Sequence, residues 1–153
     1  MEHCQVSLTH GRIDVQEALG WVNSPYCGGT SIFIGTTRIT ENGENSKIVK
    51  HLTYEAYEEM ALETMRQIVL QNVSKADGLH KVYVCHRLGQ VNLGEESILI
   101  AVSSPHRSSG HQMVMQILNE IKQKVPIWKK ICFEDQGDHW SPNSEAFWLQ
   151  QEK

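Results

Sequence analysis

The chain has 153 residues, 40 % hydrophobic and 21 % charged, values of a single globular domain large enough to bury its own core. A net charge of −4 excludes the wide basic face that general nucleic-acid or membrane-surface binding needs. No apolar run approaches the roughly 20 residues of a membrane span, and the N-terminus MEHCQVSLTH lacks the basic and apolar regions of a signal peptide.

The elements follow in chain order. Gln5–Leu8 suits a short strand, and the ends, about 1–4 and 149–153, are the least constrained part of the single domain 1–153. Asp14 is placed as the N-cap of a short helix through Val22, with Glu17 at the capping-box position. Gly28-Gly29 turns into Thr30–Gly35, a β-branched and aromatic run expected to be a buried strand. Thr40–Lys50 is polar around Asn42-Gly43 and reads as a hairpin turn or loop. His51–Ala56 alternates as a half-exposed strand before a helix from about Tyr57 to Val73, where Ala61, Leu62, Met65, Ile68, Val69 and Val73 form one apolar stripe. His80–Arg87 alternates, Leu88–Glu96 reads as a connection, and Ser97–Ser103 is apolar enough for a central strand covered on both faces. A third helix is expected from about Ser109 to Lys124, ended by Pro126 with Val125 extended. Short strands mixed with three helices imply an α+β domain.

Cys4, Cys27, Cys85 and Cys132 are scattered, without CxxC or zinc-ligand spacing. They read as four reduced thiols of a cytosolic protein, three of them buried. No cofactor or metal site is expected, and phosphate-loop, dinucleotide-binding, GxSxG and HExxH motifs are all missing from the sequence.

Chemistry concentrates in Ser103–Cys132. Five of the chain's 14 Lys+Arg residues (Arg107, Lys122, Lys124, Lys129, Lys130) lie between Pro105 and Ile131, against the single acid Glu120. Ser104-Pro105-His106-Arg107-Ser108-Ser109 joins a buried strand to a helix, where free backbone N–H groups and an Arg fork suit a phosphate or carboxylate. A turn capped by Ser108 or Ser109 with a solvated Arg fits the spacing equally well. Lys122 lies at the edge of the third helix's apolar stripe. On an extended Ile127–Phe133, Lys129 shares a face with Ile127, Ile131 and Phe133, and Lys130 with Trp128 and Cys132. A desolvated lysine serves proton transfer or nucleophilic attack, although taken singly each lysine is better read as a snorkelling side chain. Arg38, just past a strand, either reaches the same site or is an ordinary surface residue. From residues alone, the reading ends at an α+β domain with a cationic pocket.

FIGTTR (Phe33–Arg38), LTYEAYEEMA (Leu52–Ala61), HRLGQVNLGEESILIAVSSPHR (His86–Arg107) and KQKVPIWKK (Lys122–Lys130) together resemble the large, catalytic subunits of molybdopterin synthase, in order from about Asp14 to Trp148. The resemblance implies a hammerhead-like α/β fold with an additional antiparallel sheet. It implies conversion of cyclic pyranopterin monophosphate to molybdopterin by insertion of dithiolene sulfur. The sulfur donor is the C-terminal Gly-Gly thiocarboxylate of a small ubiquitin-like subunit, and two large subunits dimerise within a heterotetramer. By position, the family's functional lysines fall on Lys122 and Lys129. Arg38, His106, Arg107, Lys130 and Ile131 are implied around the substrate, and Phe33, Pro126 and Ile127 along the channel for the partner's tail.

This chain departs from the family at Ile131, where Glu is usual. The departure removes a counter-charge from Lys129's face and raises an alternative, a homologue with weakened catalysis that serves mainly as a binding or scaffolding subunit. Gly110-His111 and the SPNSE segment after Trp140 also differ from the family pattern. A small-molecule anion-binding domain unrelated to molybdenum cofactor is the third reading.

Overall fold

The computed structural model describes residues 2–40, 47–134 and 137–141, the last stretch as backbone only. Two four-stranded sheets and three helices make an α+β fold. The first sheet has the order β1 (Cys4–Thr9), β4 (Lys81–Arg87), β6 (Glu96–Ser104), β2 (Gly29–Thr36). Its β1–β4 pair is parallel and its other pairs are antiparallel. The second sheet, fully antiparallel, runs β5 (Gly89–Asn92), β3 (Val49–Ala56), β7 (Ile127–Phe133), β8 (Gly137–Ser141).

Both faces of β4 and β6 are covered, which explains the unbroken apolar run of β6. Val82, Val84, Ile98, Ile100 and Val102 meet Met65 of α2 (Glu58–Ser74) and Ile117 of α3 (Arg107–Lys124). Tyr83, Cys85, Leu99 and Ala101 pack against Ala18 and Val22 of α1 (Val15–Val22). The α1 start is as expected, the Asp14 carboxylate accepting from the Glu17 N–H at 3.0 Å.

Several expectations are corrected. β2 is not a buried strand: β6 is its single described strand neighbour, so it forms an edge and leaves Ile32 40 % exposed. β3 begins at Val49 rather than His51, and the presumed connection Leu88–Glu96 contains β5. α3 begins at Arg107, two residues early, because only Pro105 and His106 separate it from β6. Two thiols, Cys4 and Cys85, are buried while Cys27 and Cys132 are half-buried, and none of the four forms a disulfide. Ile39 carbonyl accepts from Val49 N–H at 2.8 Å; Asn42-Gly43 lies outside the described residues.

Candidate anion-binding and lysine sites

The β6–α3 turn is built from both sides. Gly28 N–H donates to the carbonyls of Ser104 and Pro105 at 3.0 and 3.2 Å. Gly78, with φ +81°, lets the chain approach Pro105: a Cβ there would lie 2.9 Å from its Cγ. His106 is the N-cap of α3, extended at φ −132° and ψ 149°, and makes no side-chain cap. Neither serine takes that role. Ser109 hydroxyl donates to the His106 carbonyl at 3.1 Å, and Ser108 hydroxyl accepts from Gln112 at 3.4 Å. The capped-turn alternative therefore fails, and the N–H groups opening this 18-residue helix carry no side-chain cap. His106 and Arg107 stand exposed beside them.

The other end of α3 carries Lys122, exposed in the last turn where the helix dipole favours a cation. Val125 is extended (φ −84°, ψ 128°), and Pro126 and Ile127 are buried as the chain enters β7. There Lys129 pairs with Tyr54 and Ser141, and Lys130 with Thr53 and Trp140. Both lysines are half-buried. Ile131 is 6 % exposed, opposite Leu52 and clustered with Val49. The register thus puts Ile127, Lys129 and Ile131 in line with Ala56, Tyr54 and Leu52, the face that strand alternation implied.

Arg38 lies exposed just beyond β2. The backbone before it is clamped: Thr37 N–H donates to Glu95 O at 3.1 Å, and Gly94 N–H to Thr37 O at 2.8 Å. Phe33, half-buried on β2, packs against the main core.

These residues form two groups rather than one. α3 turns back after β6 and lies along β2 and β6, so its C-terminal end returns toward the end of β2. That geometry puts Lys122 and Arg38 at one end of the layer and the His106-Arg107 turn at the other. Fifteen residues at about 1.5 Å per residue separate Arg107 from Lys122 by about 22 Å, beyond the reach of any side chain.

Sequence reasoning assigned nothing to His86-Arg87, yet both are structural centres. His86 is buried; its Nδ1–H donates to the Arg87 carbonyl at 2.8 Å and its ring meets the Tyr54 ring edge-on at 5.1 Å. Burial pushes its imidazole down to about 4. Arg87 pairs with Glu95 at 3.2 Å, and Glu95 also takes Arg12 at 3.0 Å. Its β-strand setting was legible; its partners, distant in sequence, were not. Among the described residues no three His, Cys, Asp or Glu side chains converge as a metal site.

Comparison with known proteins gives this arrangement a family. Residues 8–124 match the family described as MoaE protein. The chain is 44 % identical over 148 residues to the molybdopterin synthase catalytic subunit of Taeniopygia guttata, covering 97 % of this chain and 93 % of that one. It is 43 % identical over 143 residues to the Pyricularia oryzae catalytic subunit, covering 94 % and 76 %. Among solved structures, molybdopterin synthase from Staphylococcus aureus superposes with a TM-score of 0.80 at 31 % identity, covering 88 % and 94 %. The complex of subunits 1 and 2 of molybdopterin-converting factor from Helicobacter pylori shares the fold, with a TM-score of 0.70 at 17 % identity, covering 92 % of each chain. The chain belongs to the MoaE family, whose members compared here are catalytic subunits of molybdopterin synthase.

Proposed function

We propose that this chain is a sulfurtransferase that converts cyclic pyranopterin monophosphate to molybdopterin, with a small ubiquitin-like subunit delivering sulfur as a C-terminal Gly-Gly thiocarboxylate. The observation that carries this reading is the 44 % identity to a molybdopterin synthase catalytic subunit across 97 % of the chain. His106, Arg107 and the uncapped N–H groups of α3 hold the substrate's phosphate, with Arg38 as a further cation. Lys122 meets the thiocarboxylate and the substrate. Lys129 assists proton transfer or stabilises developing negative charge, and Lys130 and Ile131 border the same pocket. Phe33, Pro126 and Ile127 line the channel for the partner's tail. Sulfur enters with the partner, so the reaction asks for no cysteine nucleophile of this chain.

The about 22 Å between Arg107 and Lys122 supports a site shared by two copies, in which one supplies the phosphate-binding turn and its partner the lysines. Two large subunits, each with a small subunit, then make the heterotetramer, and the assembly works in the cytosol. No described helix is long and apolar enough to cross a membrane.

The test is to incubate the full chain with thiocarboxylated small subunit and cyclic pterin and to measure dithiolene product. Product is expected, and Lys122→Ala or Lys129→Ala lowers its rate by about a hundredfold or more. Partner binding without product overturns the catalytic reading in favour of a scaffolding subunit.

A further inference from the structure

Glu95 sits in the turn between β5 and β6, and its carboxylate ties three segments together. Oε1 accepts from the Arg87 guanidinium at 3.2 Å and from the Asn92 N–H at 3.1 Å, and Oε2 accepts from Arg12 at 3.0 Å. The other terminal nitrogen of Arg12 reaches both Glu96 oxygens, at 3.2 and 2.9 Å. The Asn92 N–H and, after it, the Arg12 and Arg87 guanidiniums hold the Glu95 carboxyl below its ordinary range. Asn92 ends β5 in the second sheet and Arg87 ends β4 in the first, so one carboxylate pins the turn to both sheets. The Arg87 side chain is 11 % exposed, and without that carboxylate it is a poorly solvated cation.

The main chain of the same turn holds the residue before Arg38. The β2–β6 ladder is irregular at this end, its register shifting between Gly35 and Thr36, and its pairs stop at Thr36. Thr37 bridges instead to Leu93. Its N–H donates to the Glu95 carbonyl at 3.1 Å, and its own carbonyl accepts from the Gly94 N–H at 2.8 Å. Gly94 has φ +78°, a left-handed conformation that favours glycine. The Glu95 N–H closes the turn on the Asn92 carbonyl at 3.0 Å. On the far side of Arg38, the Ile39 carbonyl accepts from the Val49 N–H at 2.8 Å. Arg38 therefore projects into solvent from a backbone held on both sides. A long side chain gives up rotamer freedom when it meets an anion, and a fixed root lowers that cost.

We propose that Glu95 is a positioning residue for Arg38: its carboxylate fixes the 92–95 turn, and the turn's backbone clamps Thr37 so that Arg38 is aimed at the substrate phosphate. This rests on the reading of Arg38 as a phosphate-binding cation. It gives the Arg12–Glu95–Arg87 cluster a part in substrate binding as well as in joining the sheets.

Steady-state kinetics of the complete enzyme, full chain with thiocarboxylated small subunit, test it. Arg38→Ala removes a charged donor and raises the KM for the phosphorylated pterin about tenfold. Glu95→Gln raises it about fivefold, with kcat near native. The double variant Glu95→Gln, Arg38→Ala is no worse than Arg38→Ala alone, because Glu95 acts through Arg38. A general loosening of the fold would instead add to the Arg38→Ala defect. Amide hydrogen exchange reads the clamp directly: in Glu95→Gln the Thr37 and Gly94 N–H groups lose protection while those of β4 and β6 keep theirs. Should Glu95→Gln fail to fold, Gly94→Pro at an exposed position deletes the N–H that holds the Thr37 carbonyl, and KM rises in the same way. Native KM in either variant, or additive losses in the double variant, overturns the proposal while Arg38→Ala still raises KM. Native KM in Arg38→Ala overturns the reading of Arg38 itself, and this proposal with it.

Discussion

Burial pushes the His86 imidazole down to about 4 from 6.5, so charging it inside the fold is unfavourable. Between those two values the unfolded chain binds the proton and the folded chain does not, so stability rises with pH across that window. The stabilisation is complete above pH 6.5 and is lost as pH falls toward 4, by roughly 3 kcal/mol. Urea titrations at several pH values should show this slope, and His86→Gln should flatten it. Burial also raises the Cys4 and Cys85 thiols, so both should resist alkylation in the native protein and react once it unfolds. At this scale sequence reasoning found the Asp14 cap and the face of Lys129, because both rest on spacing within one element. It missed the contact of His80 with Ser109, which joins residues 29 apart in sequence and follows from the tertiary fold rather than from any local pattern.

Strand β7 is where the family difference at Ile131 acquires a physical consequence. Ile131 lies 6 % exposed against Val49 and Leu52, so Ile131→Glu puts a carboxylate into an apolar cluster while setting it two residues along the strand face from Lys129. The expected outcome is a loss of about 2–4 kcal/mol in thermal or urea unfolding. Turnover rises in the same variant if a carboxylate at this position assists Lys129; unchanged turnover excludes that assistance. Gly78→Ala tests the buttress of the β6–α3 turn, since position 78 combines φ +81° with a Cβ 2.9 Å from Pro105. A loss of about 1–2 kcal/mol is expected. The long amphipathic helices and the central strand were legible because their apolar periods are unambiguous. β5 was not, since GQVN is short, begins with glycine and is recruited by pairing with β3.

For the molecule as a whole, α3 fixes the distance between the two cationic groups, and a shared site has a quantitative signature. Chains carrying Arg107→Ala and chains carrying Lys122→Ala should each be strongly impaired alone at limiting substrate. Mixed at equal amounts, half the dimers combine both variants, and one site in each regains intact groups, giving about a quarter of native activity. No recovery would place the complete site within one copy. Sequence patterns identified the cationic cluster but not its division, because contiguity along a helix says nothing about which end a ligand reaches. A last consequence follows from the end of the β3–β7 ladder, where Tyr57 N–H donates to Pro126 O at 3.2 Å and Ala56 pairs with Ile127. Backbone there already has its hydrogen bonds, so on the proposed function a tail threading past Pro126 would meet a preorganised wall that loses little conformational entropy. The ordering penalty would then fall on the tail itself, and the tail's own stiffness would tune how long two such subunits stay together.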